Sequence, residues 1–336
     1  MTVAAAGSHT GYVISSSGAL WAWGSNSSGQ IGDGTTVNRF NPVRISGVYT
    51  AVSGGSSHTM AIRNDNSLWA WGGAGRLGDG TANGQLSPIR IMDNVVAVSA
   101  GNFHTAAITN DRNLWAWGHN NNGQLGDGTT VARHSPVRII ADVSAVSVGE
   151  SHTMAITSDG NLWAWGWNEH GQLGNGSNRN VNEPTFIMEN VRAVSAGNHH
   201  SMVIRTDGSL WSWGRNGSGQ LGRGSTSARQ NRPEKILDDV LTVSAGFNHT
   251  VAIRADRSLW AWGANDRGQL GDGTNTNQSS PVRIMDNVAH VSAGHSFTIA
   301  IKTDGTVWAW GHNVEGQLGD SGNASSRNSP VQIFVD

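Results

Sequence analysis

The chain has no cysteine among its 336 residues and only two lysines, Lys235 and Lys302. Without cysteine there are no disulfides and no thiolate metal sites. Charged residues make up 14% of the chain and the formal net charge is -2, so no basic cluster forms. Phosphate neutralisation needs a concentrated Lys/Arg surface, and nucleic acid is therefore not expected as a partner. No apolar run approaches the roughly 18 residues of a membrane helix, and no signal peptide is read at the start, so no membrane insertion is expected. Helical periodicity is missing as well. Low lysine with abundant Asn, Ser, Thr and Gly points to an extracellular or cell-surface bacterial protein rather than a cytoplasmic one.

What is abundant is tryptophan, with 15 residues, and 14 of them fall in pairs. The run Leu114-Trp115-Ala116-Trp117-Gly118 and the polar stretch after it return seven times, with first tryptophans at Trp21, Trp69, Trp115, Trp163, Trp211, Trp260 and Trp308. A fixed period of about 48 residues is the mark of a repeat architecture. In the third copy, Val95 to Gly101, His104 to Thr109 and Leu114 to Gly118 read as three short strands, and a Pro-led run, Ser135 to Ile139, reads as a fourth. The turn between the second and third runs is Asp-Gly in several copies, as at Asp159-Gly160, which predicts a tight hairpin with positive φ at both residues. Four antiparallel strands per repeat and seven repeats predict an all-β, seven-bladed β-propeller, a single domain spanning residues 1–336. The paired tryptophans, on one side of their strand, are expected to pack each blade on its neighbour. The tidy ends suggest a domain cut from a longer protein, or an engineered array.

The run Leu-Trp-Ala-Trp-Gly-x-Asn-x-x-Gly-Gln-Leu-Gly-Asp-Gly-Thr, with Ala-Gly-x-x-His-Thr upstream, resembles the repeat of the regulator of chromosome condensation family, in a bacterial-type member. The resemblance covers all seven repeats and implies a seven-bladed propeller. It implies no single activity: members include a guanine-nucleotide exchange factor for a nuclear GTPase, ubiquitin-ligase components and β-lactamase inhibitory proteins. The exchange factor's blade insertion and basic tail have no counterpart in this sequence, so exchange activity is not expected.

Positions that recur once per repeat read as scaffold. The histidine of Gly-x-x-His occurs at His58, His104, His152, His200 and His249, with Thr10 and Phe297 in the first and seventh copies. Closure places these on separate blades, so they read as hydrogen-bonding rather than metal-binding residues. The aspartates of Gly-Asp-Gly-Thr give way to Asn175 and Arg223 in two copies; one carboxylate per loop is too few for calcium, and turn chemistry explains them. The recurring glutamines, such as Gln124, are expected to satisfy backbone groups between blades.

Function is expected where the repeats differ on a shared face. Strand parity gathers the two residues inside Gly-x-x-His and those after Trp-Gly at one end of the ring. That end holds Phe103, His119, Glu150, Trp167, His199, Arg215, Phe247 and His312, the candidate partner-binding residues. Trp167 is the one tryptophan outside the repeat pattern, and Trp, Phe and Arg together have the composition of an interaction hot spot. His119, His199, His295 and His312 could meet near the channel mouth, but no metal or cofactor site is assigned. No nucleophile elbow, phosphate loop or His-Glu metal motif occurs. The sequence is therefore read as a monomeric, non-enzymatic scaffold for a protein partner. Alternatives are a lectin-like carbohydrate-binding module and an engineered or recently amplified repeat array with no specific ligand.

Overall fold

A computed structural model describes residues 3–322 and 324–333; the rest of the 1–336 span lies outside the described residues. Each repeat forms one four-stranded antiparallel sheet with its strands in chain order, and there are seven such sheets. Blade 3, for example, consists of Val95–Ala100, His104–Thr109, Leu114–Gly118 and Arg133–Ile140. The first strands line a narrow polar cavity of about 200 Å³ on the ring axis, edged by Ser53, Ser99, Ser147, Ser244 and Ser292. The fourth strands form the partly exposed rim.

Two local expectations need correction. The fourth strand starts before its proline: Pro136 lies inside Arg133–Ile140, opposite a register break between Ala116 and Gly118. A bulge on an edge strand leaves no ladder bond for the missing N–H to donate, so proline is harmless there. The hairpin turn has positive φ only at its later residue, Arg112 at 62° or Gly160 at 81°, whereas Asp111 and Asp159 are not in that region. Arg112 N donates to Thr109 O at 2.8 Å, so Thr109–Arg112 is a four-residue turn whose last residue is left-handed, rather than the two-residue turn expected.

The apolar core is divided among the seven blade junctions. The second tryptophan of each pair is fully buried: Trp71 packs on Tyr12, Ile14, Leu20 and Ala22 of the preceding blade, and Trp23 of blade 1 packs on Ile299 and Ala309 of blade 7. Each indole N–H donates, at 2.8–3.1 Å, to a main-chain carbonyl in the preceding blade, that of glutamine in six cases and Arg76 in the other. At roughly 25 cal/mol per Å² and 150–250 Å² per aromatic, these seven side chains are a large share of the apolar stabilisation. The first tryptophans contribute less than expected, because they are only half-buried at the rim. Cations sit over several of them, Arg63 lying 3.5 Å from the Trp69 ring.

A hydrogen-bond relay also runs across the junctions. In five blades the imidazole Nε2 meets the hydroxyl that follows the histidine position in the next blade, at 2.8–3.1 Å, as in His58 with Thr105. That hydroxyl donates in turn to a loop carbonyl of the histidine's own blade, Thr153 to Gln124 O at 2.7 Å for example. The imidazole must then carry its proton on Nε2. The glutamines do act between blades, but through their backbone: the side-chain Oε1 accepts within its own loop, as from Asn122 N to Gln124 at 2.9 Å.

The two exceptions to the histidine pattern explain each other. Blade 1 carries Gly11 where the hydroxyl stands elsewhere, because a side chain there would start 2.5 Å from the Trp23 indole. Blade 7 therefore has no hydroxyl to meet, and its Phe297 is buried among Ala4, Val13 and Trp23 instead. Thr10 replaces histidine in blade 1, and the Tyr12 hydroxyl takes over the contact with Thr59 at 2.6 Å. A parallel series runs along the axis: in six junctions a first-strand serine Oγ accepts from the next blade's backbone at 2.9–3.0 Å, including Ala6 N to Ser292 across the seam. Among the described residues no strand is exchanged between blades 1 and 7.

Candidate functional site

The long loop after Trp-Gly is shaped by one buried asparagine. Asn120 Nδ2 donates to Asp127 Oδ1 at 3.0 Å and to the carbonyls of Thr129 and Val131, while its Oδ1 accepts from Leu125 N. Asp127 in turn holds Thr129 and an ion pair with Arg133 at 2.8 Å. The same clamp recurs at Asn26, Asn265 and Asn313, and at Asn168 with Asn175 in place of the aspartate. These aspartates are consumed inside their own loops, which leaves the loop tips free to vary.

The varying tips lie together. The first residue after Trp-Gly donates its N–H to a carbonyl of the Gly-x-x-His loop in every blade, as His119 N to Phe103 O at 3.0 Å and Arg215 N to His199 O at 2.8 Å. Both loops of each blade therefore share one face. On it, aromatic and imidazole rings form a continuous belt. Trp167 stands edge-on to His170 and His199 at 5.4 and 4.7 Å; His199 leads to Phe247 at 6.3 Å, Phe247 to His295 at 3.9 Å, and His295 to His9 at 5.0 Å. His312 joins at 6.5 Å from His9. The belt spans blades 4, 5, 6, 7 and 1.

The structure thus brings Trp167, His199, Phe247 and His312 into one belt, with Glu150 and Arg215 beside it. Phe103 and His119 form a separate stack, 5.6 Å apart, with the Arg76 guanidinium 5.6 Å from the Phe103 ring. The histidines do not converge on a point: His119 is on Phe103, His199 on Trp167 and His295 on His9. Among the described residues no group of three His, Cys, Asp or Glu has metal-binding geometry.

Sequence reasoning left out His9, His170, His295 and Arg76 as site residues. It also missed a polar bridge over the cavity mouth, in which Ser8 Oγ reaches Asn102 at 3.3 Å and Asn102 reaches Asn198 at 3.4 Å. All but Arg76 are variable residues in or near loops already known to share a face, which was the one available signal; which tips touch depends on the angle between blades.

Burial holds the imidazoles of His170, His199, His295 and His312 neutral. Burial pushes His199 and His295 down to about 4, helped by the neighbouring His170 and His9 respectively. His199 Nε2 meets Asn198 Nδ2 at 2.9 Å, which puts the ring proton on Nδ1, 3.3 Å from Glu150 Oε2. Burial raises the Glu150 carboxyl, while the Asn198 amide and Arg215 pull it back. This chemistry is that of a contact surface, with flat apolar rings and neutral polar edges.

A family model described as an RCC1-like domain matches residues 1–252, and models of the regulator of chromosome condensation (RCC1) repeat match residues 256–301 and 304–335. Among solved structures, human WBSCR16 is 21% identical, covering 94% of each chain with a TM-score of 0.85. Prp20p of Saccharomyces cerevisiae, described with its binding properties to Gsp1p and histones, is 19% identical over 96% of this chain and 88% of its own, with a TM-score of 0.85. The yeast protein bound to Kap60 gives a TM-score of 0.86 at 19% identity, over 96% of this chain and 85% of its own. At such identities the likeness is one of fold. No curated protein matches the chain.

Proposed function

Because this chain belongs to the regulator of chromosome condensation repeat family, we propose that it is a non-enzymatic scaffold that seats a protein partner on its loop face. Relatives of this fold described with Gsp1p, histones and Kap60 support a protein as the partner class. The observation that carries the reading is the belt from Trp167 through His199, Phe247 and His295 to His9. Aromatic side chains around desolvated polar groups dominate binding energy at protein interfaces. The belt covers five of seven blades, an asymmetry suited to one partner rather than to the equivalent sites of a ring lectin.

The test is affinity capture with mass spectrometry, run beside a variant carrying Trp167→Ala and Phe247→Ala. A protein retained by the parent and lost from the folded variant supports the reading. Equal retention moves the partner to another face, and the assignment fails.

A further inference from the structure

We propose that Arg215 and Arg229, at the loop-face edge of blades 4 and 5, form a carboxylate-binding pair that docks an acidic segment of the protein partner. This inference rests on the loop-face reading and adds the partner's chemistry to it.

The two arginines face each other across the third and fourth strands of blade 5, directly paired in register. Like charges directly opposed on a sheet are destabilising, so the fold gains nothing from them. Neither forms an ion pair among the described residues. Arg229 is exposed and aimed by one main-chain bond, its Nη1 donating to Glu169 O at 3.0 Å. Arg215 N donates to His199 O at 2.8 Å, which anchors the residue next to the aromatic belt.

Elsewhere on the ring the fourth-strand arginine stands one position later, opposite the glycine of Trp-Gly where blade 5 has Gln230, and it is already occupied. Arg39, Arg133 and Arg327 each bind the loop aspartate of their own blade at 2.5–2.9 Å. Blades 4 and 5 are where those aspartates are missing, replaced by Asn175 and Arg223. Arg223 is neutralised by Glu234 at 2.7 Å, whereas the exposed Arg179 and Arg232 form no ion pair among the described residues. The result is a local excess of guanidinium on a chain whose net charge is -2. A guanidinium fork matches a carboxylate in shape and charge. Trp167 and His170 form the adjoining wall, so the favoured occupant is acidic with an apolar side chain beside its carboxylates. A nucleic acid needs a longer basic track than these few arginines provide.

The probes are a fluorescein-labelled, glutamate-rich peptide carrying one phenylalanine, its lysine-for-glutamate counterpart, and a single-stranded DNA oligonucleotide. Binding of each to the full chain is followed by anisotropy at low and high salt. The acidic peptide alone should bind, more weakly as salt rises, and Arg229→Glu should weaken it about tenfold. Arg138→Glu, on the rim away from the pair, should leave it unchanged. Arg229→Glu should at the same time raise Tm, because it turns an opposed like-charge pair into an opposite-charge pair. No peptide binding, equal binding by Arg229→Glu, or DNA binding that outcompetes the peptide and is lost with the same substitution would each overturn the proposal. If a captured partner is lost with Trp167→Ala but kept with Arg229→Glu, the loop-face reading stands and the carboxylate pair falls. If neither substitution matters, both fall.

Discussion

His58, His104, His152, His200 and His249 have no solvent exposure, yet each ring uses only its Nε2. The Nδ1 atoms lack a hydrogen-bond partner among the described residues, and the rings of His58, His152, His200 and His249 lie against the glycine of their own Gly-x-x-His. Such a residue can be exchanged only together with what it faces. Phe297→His should destabilise the fold by about 1–3 kcal/mol, since the new imidazole would be buried opposite Gly11 with no hydroxyl to meet. Urea unfolding measures this, and an unchanged midpoint would show that the seam relaxes to supply a partner. Gly11→Ala should also destabilise, because its Cβ would meet the Trp23 indole at 2.5 Å.

At the scale of elements, the long loops depend on a single side chain each. Asn120→Ala removes bonds to Asp127, Thr129, Val131 and Leu125 and strands buried polar groups. A loss of about 2–4 kcal/mol is expected from the several unmet partners. Amide exchange should quicken first between Gly126 and Val131, and uniform quickening across blade 3 would contradict a local clamp. Here the limits of sequence reading are also clearest. The second and third strands were legible to the residue, because His104–Thr109 and Leu114–Gly118 are bounded by glycine and turn residues on both sides. The bulge around Pro136 and the turn at Arg112 were not, since both depend on how two strands shift past each other. The face of the candidate site followed from strand parity alone. The belt did not, because parity says which end a loop occupies and nothing about which neighbour its tip touches. The Arg215–Arg229 pairing was hidden for the same reason, with a polar loop of irregular conformation lying between them.

For the whole molecule, the buried imidazoles set an acid limit. Burial lowers all five to about 3 in the folded chain, against 6.5 for the free side chain. A depressed histidine pKa means that the unfolded chain binds protons more readily than the folded one. The stabilisation is therefore fully present above about pH 6.5 and is lost progressively as pH falls from there toward 3. The urea midpoint should drop over that window with net uptake of protons on unfolding, and a flat profile between pH 6.5 and 4 would argue that these rings are not buried as neutral groups. Truncating a junction tryptophan should be costly anywhere in the ring. Trp23→Ala at the seam and Trp165→Ala inside should each lose about 3–5 kcal/mol, and a much smaller loss at the seam would mean that the ring is not closed in solution.

The seam between Phe297 and Gly11 has a further consequence, which concerns how such an array can change length. Five successive junctions pair a histidine with a hydroxyl, so those joints are chemically interchangeable. A repeat copied or deleted among them would meet matching partners on both sides. The joint that closes the ring follows a different rule, apolar against bare backbone, and a blade from the interior cannot take either of its places. The side chains thus set the closing joint apart from the five interchangeable ones, and a repeat duplicated between two histidine–hydroxyl joints should disturb junction chemistry less than one duplicated at the seam.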